Sequence, residues 1–124
     1  MGLKSRNKGK RGEREACELL RPLFPDVRRR AMQARGGGEG ADLDNTPGCH
    51  VEVGIGNVNP RAKWEQAIAD EHAARSRGDF AKEPIALTRR DNGTWLVTMS
   101  AEAWMRLVAA SLEPKLPNRT ERGV

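Results

Sequence analysis

Apolar positions recur along this chain with two different periods. Ala16, Cys17, Leu19, Leu20, Leu23 and Phe24 follow i, i+3, i+4 spacing and predict a first helix over residues 11–21. Pro22 and Pro25 close it, because proline lacks an N–H and restricts the residue before it. Residues 27–33 read as a first strand. Residues 41–45 and 49–55 read as two more, joined by a Thr46-Pro47-Gly48 loop with Gly48 in the left-handed position. In the second of these, Cys49, Val51, Val53 and Ile55 share one face, while His50, Glu52 and Gly54 share the other. Asn59-Pro60 is a cap followed by proline at the first helical position, opening a helix to about Arg75 with Trp64, Ala67 and Ile68 on its buried side. Residues 84–90 and 94–99 form a hairpin about Asn92-Gly93. Ser100 caps a last helix with Trp104, Leu107, Val108 and Ser111 along one side. The order α-β-β-β-α-β-β-α predicts an α/β fold, a mixed sheet with helices packed against it.

One stretch breaks the alternation, GADLDNTPGCHVEVG (residues 40–54). Asp42 and Glu52 stand inside strands, and under the loop assignment they face each other about 5 Å apart at Cβ. Facing carboxylates repel and raise each other's pKa unless a cation lies between them. Mg²⁺ suits such a place, since it takes a few carboxylates, keeps several waters and shares the rest with phosphate oxygens. The Val53 carbonyl can add a ligand. Glu13 precedes Cys17 by four residues and Leu20 by seven, which puts a third carboxylate on the buried stripe of the first helix. The plainer alternatives are that Glu13 complements a helix N-terminus and that Asp42 is an ordinary strand-edge residue.

Charge changes the picture further. The 124 residues carry 22 Lys/Arg and 17 Asp/Glu, net +5. The first 35 residues hold 11 basic side chains against 4 acidic, and the rest hold 11 against 13, so the whole excess lies in the first third. Such asymmetry fits a polyanion-binding surface, because neutralising phosphates releases condensed counterions. Residues 1–8 alone read as a solvated tail, whereas Arg28, Arg29, Arg30 and Arg35 lie among folded segments. The basic N-terminus has no apolar segment behind it and is no secretory signal, and no apolar run is long enough to cross a membrane. Cys17 and Cys49 fall at core positions and fit a reducing compartment. No Cys/His cluster has zinc spacing, and no GxGxxG or P-loop motif is present.

These residues together resemble the PD-(D/E)xK nuclease superfamily, and within it the archaeal-type Holliday junction resolvases and their phage-encoded relatives. The resemblance runs over residues 8–108: KGKRGERE (8–15), RRRAMQARGGGEGADL (28–43), HVEV (50–53), NPRAKWEQA (59–67) and the final W-L-V-T-M strand. It implies a restriction-endonuclease-like, mixed five-stranded sheet flanked by helices. Residues 1–10 would be a basic arm, 11–112 a single nuclease-like domain and 113–124 a flexible tail. It implies metal-assisted phosphodiester hydrolysis with Mg²⁺, or Mn²⁺ as an alternative. Glu13, Asp42 and Glu52 take the places of the family's metal carboxylates, joined by the Val53 carbonyl. Gln66 takes the place of a polar helix residue that orients a ligand or water. Lys8, Lys10, Arg11, Arg28, Arg29, Arg30, Arg35 and Arg61 are the predicted DNA contacts. The implied partners are a four-way DNA junction and a second copy of the chain, in the cytoplasm (the host's, if the chain is phage-encoded).

The sequence departs from that family at Gly54, where the pattern has a lysine. Two residues beyond Glu52 is the same strand face, about 6.6–6.8 Å along, from which an ammonium can hold the attacking water or offset developing charge. Three explanations stand open: an engineered substitution, a natural relative that has lost cutting, or a base moved to Lys63 or Lys10. The first two predict a chain that cleaves poorly and a Gly54→Lys variant that cleaves faster. A non-catalytic DNA-binding module of the same fold, or a nuclease acting on ends, flaps or mismatches, are the competing functions. His50 reads as a strand histidine near solvent, His72 as an ordinary helix residue, and Trp64 and Trp95 as core.

Overall fold

The seven-residue strand Cys49–Ile55 is buried along nearly its whole length on both faces, and the rest of the fold is arranged around it. The computed structural model describes residues 2–30 and 41–114, with side chains from residue 9 onward. The elements are α1 (Gly2–Leu20), β1 (Arg28–Arg29), β2 (Leu43–Asp44), β3 (Cys49–Ile55), α2 (Pro60–Ser76), β4 (Glu83–Arg89), β5 (Leu96–Thr98) and α3 (Ala101–Leu112). Their order is the one the sequence predicts. β3 runs parallel to β4 across the α2 crossover, with Glu52 opposite Ala86 and Gly54 opposite Thr88. β5 returns antiparallel to β4, giving a mixed three-stranded sheet in the order β3-β4-β5.

β1 and β2 form a separate antiparallel pair. A backbone bond from Asp42 N–H to the Val51 carbonyl (3.0 Å) ties that pair to β3 among the described residues, where the two sheets share no ladder. The apolar face of β3 lies under α1. Val51 and Val53 join Ala16, Cys17, Val27, Leu43 and Leu87 in the core. A Cβ at Gly12 would sit 3.2 Å from the Ile55 side chain, so the absence of one lets α1 lie close against β3. The cysteines behave as predicted: Cys17 is buried, Cys49 half-buried, and both are free thiols.

Several predicted details differ. The helical backbone of α1 begins at Gly2, ahead of the predicted start at residue 11; once a nucleus exists, each added residue gains a hydrogen bond. Leu19 and Leu23 are exposed. β1 is only two residues long in the described part, and the remainder of its predicted span, 31–33, lies outside the described residues, as do Arg35 and the glycine run that follows it. Gly48 takes the left-handed conformation as predicted (φ 85°). In the second hairpin, Thr88 opposes Leu96; carried two residues on, that register opposes Arg90 to Thr94. Asn92, not Gly93, takes the positive φ (59°), and Gly93 N–H bonds back to the Arg90 carbonyl at 2.8 Å.

Both helix caps form as read. Asn59 Oδ1 accepts from Arg61 and Ala62 N–H, and Ser100 Oγ accepts from Ala103 N–H. The buried face of α2, however, is made by Ala67 and Glu71, with Trp64 half-buried and Ile68 exposed. On α3 only Ala103 is buried. Trp104 and Leu107, read as lying along one side of this helix, are 57% and 61% exposed.

Candidate active site

The second face of β3 lies under α2, and that pairing builds the site. His50, Glu52 and Gly54 alternate along the strand. Lys63, Gln66 and Asp70 stand at i, i+3 and i+7 on the helix, one above another on a single side. The two rows meet in opposite directions. Asp70 lies by His50 and Glu52, Gln66 Nε2 donates to Glu52 Oε1 at 3.0 Å, and Lys63 Cε lies over Gly54. The α2 crossover that makes β4 parallel to β3 is what brings these rows together.

Glu52 is the centre. Its side chain is 0% exposed, and burial first, then the nearby Asp42 and Asp70, push its carboxyl up to about 9, with Lys63 pulling the other way. Asp70 Oδ2 is also buried and receives no N–H or hydroxyl hydrogen bond among the described residues. Two carboxylates can share a hydrogen bond only if one keeps its proton, and the raised pKa of Glu52 favours that arrangement beside Asp70. His50 Nε2 lies 3.3 Å from Glu52 Oε2. The sequence reading put His50 near solvent; it is buried, since α2 covers this face, and burial lowers its pKa so that the ring stays neutral.

Asp42 reaches the site from just before β2. It does not pair with Glu52 in a ladder, as the hairpin reading had it. Instead it straddles Glu52: its N–H bonds the Val51 carbonyl, and its Oδ2 accepts Val53 N–H at 2.8 Å. Val53 therefore touches the site through its amide, and its carbonyl, on the same edge of the strand, faces away from β4. Glu13 arrives from α1, half-buried, with its carboxyl raised by desolvation and by Asp42 and lowered by Arg29 and Lys63. Arg29 Nε holds Glu13 Oε1 at 3.1 Å. Asp42 thus acts on both Glu13 and Glu52. Among the described residues, though, the set whose ligand atoms all come within 4.8 Å of one another is His50, Glu52 and Asp70, not Glu13, Asp42 and Glu52.

The predicted DNA contacts are scattered in kind. Arg29 is committed to Glu13, Arg28 lies 3.9 Å from Asp44, Arg11 lies 3.8 Å from Glu15, and Arg61 pairs with Glu65 while stacking over Trp64. Lys10 is exposed. Arg30 lines a cavity of about 200 Å³ with His50, Glu71 and Lys82. The Lys8 side chain and Arg35 fall outside the described residues. The sequence reading missed Asp70 and the groove between α1 and β1, where Arg14 and Arg21 join Arg28 and Arg29 around Cys17. The signals were present: Asp70 continues the Lys63–Gln66 side of α2, and Arg14 and Arg21 are seven residues apart on α1 and its C-terminal turn.

Comparison of the chain with protein-family models, with curated proteins and with solved structures returned no match. The fold and the chemistry of the site therefore carry the functional reading.

Proposed function

We propose that this chain is a metal-dependent endodeoxyribonuclease of restriction-endonuclease-like fold that acts on four-way DNA junctions as a homodimer. The observation that carries the reading is the crowding of Asp42 and Asp70 about a fully buried Glu52. Buried, mutually repelling carboxylates cost stability, and a divalent cation removes that cost. The donor set fits: carboxylate oxygens, a neutral imidazole and a buried Asp70 oxygen without an ordinary donor. Asp42 and Glu52 would hold the cation with Glu13 beside them. When bound, Mg²⁺ or Mn²⁺ supplies polarisation of a phosphodiester and an acidified water. Gln66 fixes the orientation of Glu52, and Asp42 is itself fixed by Val53 N–H.

The remaining support is architectural. The α1-β1-β2-β3-α2-β4 order, with β3 and β4 parallel, is what a restriction-endonuclease-like core requires, although the five strands are split between two sheets here. The Arg14, Arg21, Arg28 and Arg29 groove lies beside Glu13 and suits a DNA backbone. Leu96 and Val97 on edge strand β5, with Trp104, Met105 and Leu107 on α3, give a second copy an apolar surface to cover.

A second arrangement of the same site is favoured by the 4.8 Å closure of His50, Glu52 and Asp70, which would take the cation on the α2 side of Glu52. Calorimetric Mn²⁺ titration of Asp42→Asn and Asp70→Asn separates the two, since the variant that loses affinity marks the liganding side. The function itself is tested by incubating the chain with a four-way junction and with its linear arms, in Mg²⁺ and in EDTA. Metal-dependent nicking confined to the junction is expected. Equal cutting of the linear arms removes the junction preference, and binding without any cutting leaves the non-catalytic module.

A further inference from the structure

Gly54 is not an empty place in the strand. A Cβ built there would lie 3.1 Å from Lys63 Cε and 3.2 and 3.3 Å from the two methyl groups of Val58. The space next to Glu52 on this strand face is already filled, and part of what fills it is the end of a lysine side chain arriving from α2. The backbone fixes that arrival. Asn59 caps α2, Pro60 starts it, and Lys63 N–H bonds the Asn59 carbonyl at 3.0 Å, so Lys63 stands in the first turn directly above β3.

Resting on the nuclease reading, we propose that Lys63 is a catalytic residue of this site, its ammonium taking the place beside Glu52 that a side chain at position 54 would otherwise occupy, and that Gly54 is glycine to admit it. The location of the charge agrees: the Lys63 ammonium lowers the pKa of both Glu13 and Glu52, so it acts on the carboxylates from α1 and β3 together. A site built from Glu13, Asp42, Glu52 and Asp70 repels a phosphodiester, and a positive group must offset that repulsion for the substrate to approach. In hydrolysis a water oxygen bonds to phosphorus, one P–O ester bond breaks, the water proton passes to a site carboxylate, and the departing alkoxide takes a proton from solvent. Lys63 transfers nothing in this scheme. It donates a hydrogen bond to a phosphate oxygen whose charge grows as the new bond forms.

The inference replaces the expectation that Gly54 disables the chain. It is tested with Lys63→Met, Gly54→Lys, and the exchange variant Lys63→Ala/Gly54→Lys, read by junction-cleavage kinetics and, without DNA, by Mn²⁺ calorimetry. Lys63→Met is expected to lower kcat by on the order of 100-fold while KM changes less than about threefold. The same variant should bind Mn²⁺ several-fold more tightly, because a like charge has left the carboxylates. Gly54→Lys alone should cut no faster than the parent, since its stem meets Lys63 and Val58. The exchange variant should recover at least about tenfold over Lys63→Ala. Parent-like kcat in Lys63→Met, unchanged Mn²⁺ affinity, or a Gly54→Lys variant faster than the parent overturns the assignment. A parent that cuts while Lys63→Met cuts equally well removes only the role of Lys63. A parent that cuts no DNA with either metal removes the nuclease reading and this role with it.

Discussion

The two edges of the three-stranded sheet treat their side chains in opposite ways. At the β3 edge, α2 closes over His50 and Glu52, so that titratable groups are taken out of water. At the β5 edge, Leu96, Val97, Trp104, Met105 and Leu107 are left in water. Each edge reverses the ordinary preference for apolar residues inside and charges outside. The reason differs at each end. α2 is anchored above β3 by its Asn59 cap and by the crossover into β4, whereas α3 follows the last strand and touches the rest through Ala103 and an Arg106–Glu83 ion pair of 3.0 Å. A helix held between two strands imposes burial on whatever lies beneath it; one held at its start leaves its apolar side for another surface. In the proposed function the first edge awaits a cation and a phosphate, and the second awaits another copy of the chain.

The largest test of this contrast lies at the β5 edge. Trp104→Glu/Leu107→Glu is expected to convert the proposed dimer to a monomer in sedimentation, with the melting temperature of the monomer moved by only a few degrees, about the size expected of exposed positions. Retained dimer would place the interface elsewhere.

At the other edge, Glu52 holds its proton up to about 9 in the fold, against an ordinary value of 4.5. Between those values the folded chain binds more protons than the unfolded one, so this group contributes stability that is complete below about 4.5 and is lost as pH rises through about 9. Glu52→Gln has no proton to lose. In EDTA its melting temperature should exceed the parent's by about 5 °C or more at pH 9 and show little advantage at pH 5. A pH-independent difference would mean that Glu52 is not the group responsible.

Smaller effects separate the links within the site. Asp42→Ala leaves Val53 N–H without its 2.8 Å acceptor and should cost about 1–3 kcal/mol in urea unfolding, while Asp42→Asn keeps an acceptor and most of that stability. Equal losses in the two variants would show that charge, not the hydrogen bond, holds Asp42. Gly54→Ala should be the mildest, about 1 kcal/mol, because Lys63 and Val58 need move only a little; a loss several times larger would mean that neither can move.

Much of this was legible in the residues. The Asn59-Pro60 and Ser100 caps, the left-handed Gly48 and the alternation of β3 are consequences of local backbone chemistry, which a sequence displays directly. Glu13, Asp42, Glu52 and Gln66 were singled out by their positions on those elements; the structure bonds Gln66 to Glu52 and sets Asp42 near both Glu13 and Glu52. What stayed hidden was set by contact between distant segments. Asp70 was not singled out, because nothing in α2 alone shows that it lies over β3, and His50 looked exposed for the same reason. Gly54 looked like a missing lysine because the strand alone shows which face a position occupies, not what comes down onto it.

The sequence by itself determined the order of the elements, the helix caps, the two faces of β3 and the unequal spread of positive charge, because each depends on neighbours in the chain. Tertiary structure decided that the polar face is buried, that Asp42 flanks Glu52 through hydrogen bonds to Val51 and Val53, that Lys63 occupies the place beside Gly54, and that α3 keeps its apolar side uncovered. Those outcomes depend on how an α2 crossover and a terminal helix settle on a sheet. Burial and proton affinity are properties of the assembled surroundings, and no single stretch of chain contains them.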